Sequence, residues 1–361
     1  MMIKDKPANG KVTLKDIAKT ADVSIATVSQ VLNKRNTKVA SQETLEKIYA
    51  AADVLQYTAG NSGNHSRIGI IVGSPLADKY ANSFYSNYYK GVEDELHKEG
   101  YVVDFFYSSN QIENSPAVYN HIMSLPSLAL ISIDNINNNE RITALLKKAW
   151  CTVDIGFVAP GSQQNHRVYP DIYQATKQGL NNLRLSGRKK IALFSGDPSL
   201  NNIFSKDDSF EGFIDSRSLA YRDFLRENMI EFNESLVNFI YDWNPYDTYS
   251  AVLNMCNNKV EFDAIFACND EMALASLNAL KSRGVRVPED VALIGFDGQP
   301  DIFPGASAIS TYHIPCEELG RTAVQILLLC MAGKLPLPME ISSPVEFIRR
   351  DTCGLAEELL I

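Results

Sequence analysis

The chain has 361 residues, 45% of them apolar and 21% charged, with a formal net charge of −9 and a pI near 5.2. That length and apolar share exclude a peptide module or a disordered chain and leave room for two or three packed domains. Residues 1–60 hold nine Lys/Arg against six Asp/Glu, leaving 25 against 37 for the rest, so a small basic head precedes an acidic body. Coulomb interactions fade over about 10 Å at ordinary salt, so the acidic body does not bar the head from nucleic acid.

The opening stretch MMIKDKPANGK has no apolar segment of the kind a secretory signal needs. The longest apolar run, AVQILLLCMAG, is about half a membrane span, and a cytoplasmic protein is expected. The six cysteines (Cys151, Cys256, Cys268, Cys316, Cys330, Cys353) form no C-x-x-C pair, which suits buried free thiols in a reducing compartment. The five histidines are scattered without metal-ligand spacing, so no metal or cofactor is expected.

In the head, Thr13 with Asp16 reads as a helix start, and Leu14, Ile17, Ala18 and Ala21 recur at helical spacing. Asp22 stands where a tight helix-to-helix turn wants a positive φ. Ser24 caps a second helix with Val28, Val31 and Leu32 on one face and Ile25, Ala26, Ser29, Gln30 and Asn33 on the other. A third helix starts at Ser41 with Leu45, Ile48, Ala52 and Leu55 inward. This is a helix-turn-helix over residues 1–57, whose second helix suits a major groove. Hydroxyls approach phosphates, Gln30 reaches a base edge, Ile25 and Ala26 meet thymine methyls, and Lys34, Arg35 and Lys38 supply charge.

The stretches VTLKDIAKTADVSIATVSQVLN and TLEKIYAAADVLQY resemble the start of the lac and gal repressor family. The resemblance implies that Ile25, Ala26 and Gln30 read bases while Thr13, Ser24, Thr27, Ser29 and Asn33 approach the backbone. It also implies a hinge helix ending in a leucine, and here the chain departs: the linker, residues 58–67, holds TAGNSGNHSR, with two glycines and no leucine. An extended tether is expected instead, with Arg67, His65 and the asparagines as minor-groove candidates.

From Ile68 onward, apolar runs (RIGIIVG, VVDFFYS, LALISID, CTVDIGFV, KKIALFSG, VNFIYDW, DAIFACND, VALIGFD) alternate with helical stretches. They predict two doubly wound α/β lobes with parallel sheets and a ligand cleft outside the carboxyl ends of the strands. The resemblance implies a periplasmic-binding-protein-like body over residues 68–361. Its chain crosses between lobes near 158–161, 297–300 and 313–318, giving an N-lobe of about 68–158 plus 299–315 and a C-lobe of about 161–297 plus 318–361. Residues 198–216 read as a polar loop near the cleft.

Candidate cleft residues are Arg217, Trp243 ending IYDW, Asn269 and Asp270 ending IFACND, Asp297 ending LIGFD, and Tyr85 at the cleft mouth. An aromatic face with a guanidinium, a carboxylate and a carboxamide suits a neutral sugar. Each group also has a structural reading: Asp270 and Asp297 as helix caps, Trp243 and Tyr85 as core, Arg217 as a surface charge. The resemblance carries Arg217, Trp243, Asn269 and Asp297 onto inducer-contacting positions, with the galactose and β-galactoside repressors most alike, while Gly156 stands where sugar-binding relatives often have an acid. The expectation is a transcriptional repressor of a carbohydrate operon, a homodimer on palindromic operator DNA released by a small sugar. A nucleoside or purine effector, or a corepressor role, is the alternative within the class. A solute receptor or an enzyme is more remote, since no G-x-G-x-x-G, Walker, G-x-S-x-G or H-E-x-x-H motif is present.

Overall fold

The computed structural model describes residues 13–32, 39–55, 67–73, 83–125, 128–134, 140–156, 165–196, 215–298, 308–335 and 338–356. The chain divides into two compact units, Met1–Ser66 and Arg67–Ile361.

The first unit contains α1 (Leu14–Ala21), α2 (Ile25–Leu32) and α3 (Gln42–Val54). The Thr13 backbone N–H and hydroxyl both donate to Asp16 Oδ2, at 2.8 and 2.7 Å, closing the first turn and holding the Asp16 carboxyl below its usual range. Asp22 ends α1 in the left-handed region at φ 55°, as the turn requires. Ser24 Oγ accepts the Thr27 N–H at 3.0 Å, and Ser41 Oγ the Thr44 N–H at 3.3 Å, so each later helix starts on a serine. Ile17, Ala18, Ala21, Val28, Val31, Leu45, Ile48, Ala51 and Ala52 form one small core with Leu14 and Leu55 at its rim. The Leu32 side chain lies outside the described residues.

The second unit holds two six-stranded sheets. In the first lobe β1 (Arg67–Val72), β2 (Val103–Ser108), β3 (Leu128–Ile133), β4 (Cys151–Ile155), β5 (His166–Pro170) and β11 (Glu340–Ser343) pair in the order β11-β5-β4-β3-β1-β2, all parallel. In the second, β6 (Ile191–Ser195), β7 (Val237–Phe239), β8 (Ala264–Ala267), β9 (Ala292–Asp297), β10 (Ser310–His313) and β12 (Glu346–Ile348) pair in the order β12-β10-β9-β8-β6-β7, with only β12 antiparallel. β3, β4, β6 and β8 are buried along their whole length, as strands covered on both faces must be.

The first lobe carries α4 (Ser83–Lys98), α5 (Ser109–Asn114), α6 (Pro116–Ser124) and α7 (Glu140–Lys148). The second carries α8 (Ile172–Leu185), α9 (Ser216–Glu227), α10 (Pro245–Asn257) and α11 (Asp270–Ser282). α12 (Cys316–Met331) packs on α4 and on β3, β4 and β5 of the first lobe, with Gly91 and Gly320 at a close helix crossing where a Cβ would meet backbone.

This pairing corrects the expected lobe boundaries. β5 lies in the first sheet, so the first passage to the second lobe comes between Pro170 and Ile172 and not at 158–161. β9 and β10 pair in the same sheet, so 297–300 is no crossing and residues 310–313 belong to the second lobe. The chain returns between His313 and Cys316, close to the expected 313–318, which puts α12 and β11 in the first lobe; it leaves again between β11 and β12. The reason is local: β5 alternates buried and half-buried residues and β11 alternates half-buried and exposed ones, so neither has the continuous apolar run that announced the central strands. Arg67, expected in the linker, is the first residue of β1 and pairs with Asp104 at 2.7 Å. The rest of that linker, His65 included, lies outside the described residues. Of the expected loop at 198–216, the described end is ordered: Asp215 caps α9 and Ser216 begins it.

Candidate functional site

On the head, the start of α2 presents Ile25 and Ala26 outward, Ile25 with 49% of its surface in water. Beside them are the Ser24 and Thr27 hydroxyls, 2.8 Å apart, while Ser29 and Gln30 are half-buried further along the helix. Thr13 is exposed at the start of α1. Short apolar groups and hydroxyls at the amino end of a capped helix, with one carboxamide further along it, match the edge pattern of a major groove. Asn33, Lys34, Arg35 and Lys38 lie outside the described residues.

In the body, polar groups gather at the carboxyl ends of strands from both sheets. Arg217, on the first turn of α9, is buried. Asp215 Oδ1 accepts its backbone N–H at 2.8 Å and its Nε–H at 2.9 Å, Asp215 Oδ2 accepts Nη2–H at 2.6 Å, and the Cys268 carbonyl accepts from Nη1. Burial opposes the guanidinium charge, but the Asp215 carboxylate overrides it and keeps Arg217 protonated throughout the accessible pH range. The guanidinium carbon lies 4.8 Å from the Trp243 ring centre and 5.5 Å from that of Phe296, and Nη1 is 4.0 Å from Asp297 Oδ1. The surface-charge reading of Arg217 is thereby excluded.

Trp243 does not end a strand. β7 stops at Phe239, and a 3-10 turn over Tyr241–Trp243 follows, with Asp242 and Trp243 both left-handed at φ 53° and 55°. The half-buried indole lies over Gly196 at the end of β6, where any Cβ would come within 2.3–2.6 Å of ring atoms. Two consecutive non-glycine residues in that region cost of order 1–3 kcal/mol each, a strain found where a side chain must be aimed.

Asp297 ends β9 at φ 100°, and burial pushes its carboxyl well above the usual range although the nearby Arg217 pulls the other way. Asn269 caps α11, its Oδ1 accepting the Met272 N–H at 2.7 Å. Asp270 is buried beneath the site, where Thr311 Oγ1 donates to it at 2.6 Å, so it supports the fold.

From the first lobe, Tyr85 on α4 donates to Asp134 Oδ2 at 2.8 Å. Burial raises the Tyr85 hydroxyl well above its ordinary value, Asp134 adds to this, and the charges of Asp297 and Arg217 also act on it. Tyr85 is therefore near the groups from the other lobe. Asp134, unflagged by the sequence reading, follows β3 at φ 66°. Its signal was present, since LALISID ends in a carboxylate as LIGFD does. Asp134 N–H donates to the Ile155 carbonyl at 2.8 Å, so it stands beside Gly156, the position where an acid is missing. Gly156 has φ 85°, which disfavours a side chain there, and its Cβ position would be 3.8 Å from the Tyr88 hydroxyl. The first lobe thus presents its carboxylate one strand over.

The arrangement is an aromatic plate backed by a guanidinium, with carboxylates from both lobes and a carboxamide. It can hold a neutral, hydroxyl-rich or flat ligand between two lobes. Among the described residues no helix is long and apolar enough to cross a membrane.

Comparison with known proteins agrees. Residues 13–59 match the model of bacterial regulatory proteins of the lacI family, and residues 180–353 match a periplasmic binding protein-like domain. The HTH-type transcriptional regulator GalR of Streptococcus thermophilus is 28% identical over 324 residues, covering 87% of this chain and 91% of its own. The HTH-type transcriptional repressor PurR of Haemophilus influenzae is 29% identical over 335 residues, covering 88% and 90%. The lac repressor dimer bound to operator and the anti-inducer ONPF shares the fold at TM-score 0.67 and 22% identity, over 96% of this chain and 100% of that one. A transcriptional regulator CelR-cellobiose complex does so at TM-score 0.65 and 23% identity, over 94% and 99%. A helix-turn-helix head joined to a two-lobed binding body defines a DNA-binding transcriptional regulator. The chain joins a lacI-family helix-turn-helix domain to a periplasmic-binding-protein-like domain.

Proposed function

We propose that this regulator is a cytoplasmic homodimer that represses a carbohydrate-utilisation operon and leaves its operator when a small sugar binds between the lobes. Each head reads only a few base pairs, so useful specificity requires two heads on a palindrome. Ile25, Ala26 and Gln30 are the base-reading residues, with Thr13, Ser24, Thr27, Ser29, Asn33 and Lys34 on the backbone. Tyr85, Asp134, Arg217, Trp243, Asn269 and Asp297 form the effector site. The protein acts by binding, without catalysis.

The observation that carries this reading is the Trp243 ring, aimed by a strained turn, backed by Arg217 and flanked by the Asp297 carboxylate. A sugar offers such a site a flat C–H face and vicinal hydroxyls. The cellobiose complex of a protein with the same fold and the operator-bound lac repressor dimer support the sugar class, the DNA partner and the dimer. A thermal-shift screen of the full chain against sugars and nucleosides tests it. A ligand at about 100 times its dissociation constant adds roughly 2.7 kcal/mol, a readily measured shift. Shifts by nucleosides or purines alone would replace the sugar by a stacked base on the same indole.

A further inference from the structure

Cys151, His166 and Cys330 are far apart in sequence and meet in the first lobe. Cys151 is the first residue of β4, His166 the first of β5, and Cys330 lies in the last turn of α12. His166 pairs in register with Val153, two residues from Cys151, so both side chains leave the sheet on the same face, the one α12 covers. The two sulfurs and a ring nitrogen lie within 4.8 Å of one another. Cys151 and His166 are buried and Cys330 is half-buried. All three stand at the amino ends of the strands, opposite the end that carries Asp134 and Gly156, so the effector site does not use them.

We propose that Cys151, His166 and Cys330 form a binding site for a thiophilic divalent cation, Zn2+. Zinc takes sulfur at about 2.3 Å and imidazole nitrogen at about 2.0–2.1 Å, which in a tetrahedron separates the donors by roughly 3.5–3.8 Å. The observed trio therefore needs to contract by at most about 1.3 Å, within reach of side-chain rotation. Two thiolates and a neutral imidazole on Zn2+ make an uncharged centre, which a buried place accepts. The same donors on Cu+ leave a net negative charge there. Binding balances as Zn2+ plus two thiols giving the zinc dithiolate and two protons, with no change of oxidation state. The half-buried Cys330 gives the ion its way in, and the fourth position stays open to water or an external ligand.

His166 Nδ1 accepts the Met339 N–H at 3.1 Å, so in the metal-free ring the proton sits on Nε2. Coordination requires one nitrogen to give up its partner, and this single long bond is the one exchanged. The site would clamp β4, β5 and α12 at a defined place: Cys151 is in register with Ala129, and Ala129 with Ile68, at the edge where the chain enters the body from the head. The clamp has no counterpart in the effector mechanism proposed above and does not rest on it.

The test uses the full chain, purified under reductant and stripped with chelator. It is titrated with Zn2+ against a chromophoric competitor and separately with Co2+ as a spectroscopic stand-in. The expected result is one equivalent of Zn2+ per chain and a Co2+ spectrum with thiolate charge-transfer bands and intense tetrahedral visible bands. Both should be lost in Cys330→Ser and Cys151→Ser and retained in Cys256→Ser, which alters a half-buried thiol outside the cluster. Circular dichroism on each variant separates loss of the site from loss of the fold, and His166→Ala, expected to weaken Zn2+ at least tenfold, adds a third independent ligand test. Less than half an equivalent bound to the folded protein, binding unchanged in folded Cys330→Ser, or preference for Cu+ with no Zn2+ uptake would overturn the proposal.

Discussion

Replacing Arg217 with methionine separates its two duties, holding the body together and shaping the cleft. The guanidinium is buried and paired through two oxygens with the buried Asp215, and its Nη1 lies 4.0 Å from Asp297 Oδ1. Removing it strands a buried carboxylate. Breaking such a pair costs about 3–5 kcal/mol, more than the roughly 0.3–1.5 kcal/mol that a methionine sulfur gains against an aromatic ring. With an unfolding entropy of about 2.1 cal/mol/K per residue over the body, the melting temperature should fall by roughly 5–8 °C. Adding Asp215→Asn removes the stranded charge while keeping an acceptor for the first turn of α9, so the double variant should recover at least half of that loss. Effector binding, measured by calorimetry with whichever sugar gives the largest thermal shift, should stay impaired in both, because Trp243 has lost its backing. A single variant melting within about 1 °C of the parent, or a double variant binding effector normally, would refute this division of labour.

Asp297→Asn should weaken the effector by about 1–3 kcal/mol, roughly 5- to 150-fold, by calorimetry. It should also flatten a pH dependence. The folded carboxyl is raised above its unfolded value, so the folded body holds the extra proton and the ligand-free body loses stability as pH climbs from about 4 toward the folded pKa; denaturant melts across that range give the slope. Gly196→Ala should displace the indole without touching any charge and lower effector affinity tenfold or more, about 1.4 kcal/mol, while operator affinity stays unchanged by fluorescence anisotropy. In the head, Gln30→Ala should relax preference at one operator position at a cost of about 1–3 kcal/mol, whereas Lys34→Ala should weaken all duplexes alike and reduce the salt slope by about 1.

The caps and the turn of the head were legible because capping and helical spacing are local: Thr13 with Asp16, left-handed Asp22, and the Ser24 and Ser41 helix starts all stand where the sequence placed them. The central strands were legible because burial on both faces leaves continuous apolar runs. What escaped depends on partners distant in sequence. β5 and β11 carry alternating patterns that only strand pairing explains, and with them went the lobe boundaries. Trp243 was selected for its chemistry, but its turn of two left-handed residues has no glycine to announce it. Arg217 was expected to face a ligand and spends most of its donors on Asp215 and the Cys268 carbonyl. Asp134 was visible as the last letter of a strand and gained meaning only beside Gly156 and Tyr85.

The most direct measurement is a titration of a labelled palindromic duplex from the protein's own promoter with the full chain, repeated at several salt concentrations and with saturating sugar. Salt-sensitive binding is expected, weakened by sugar about 5- to 150-fold, with operator weakening sugar binding by the same factor. Equal operator affinity with and without every sugar that stabilises the body, or no salt-dependent affinity for any such duplex, would contradict it.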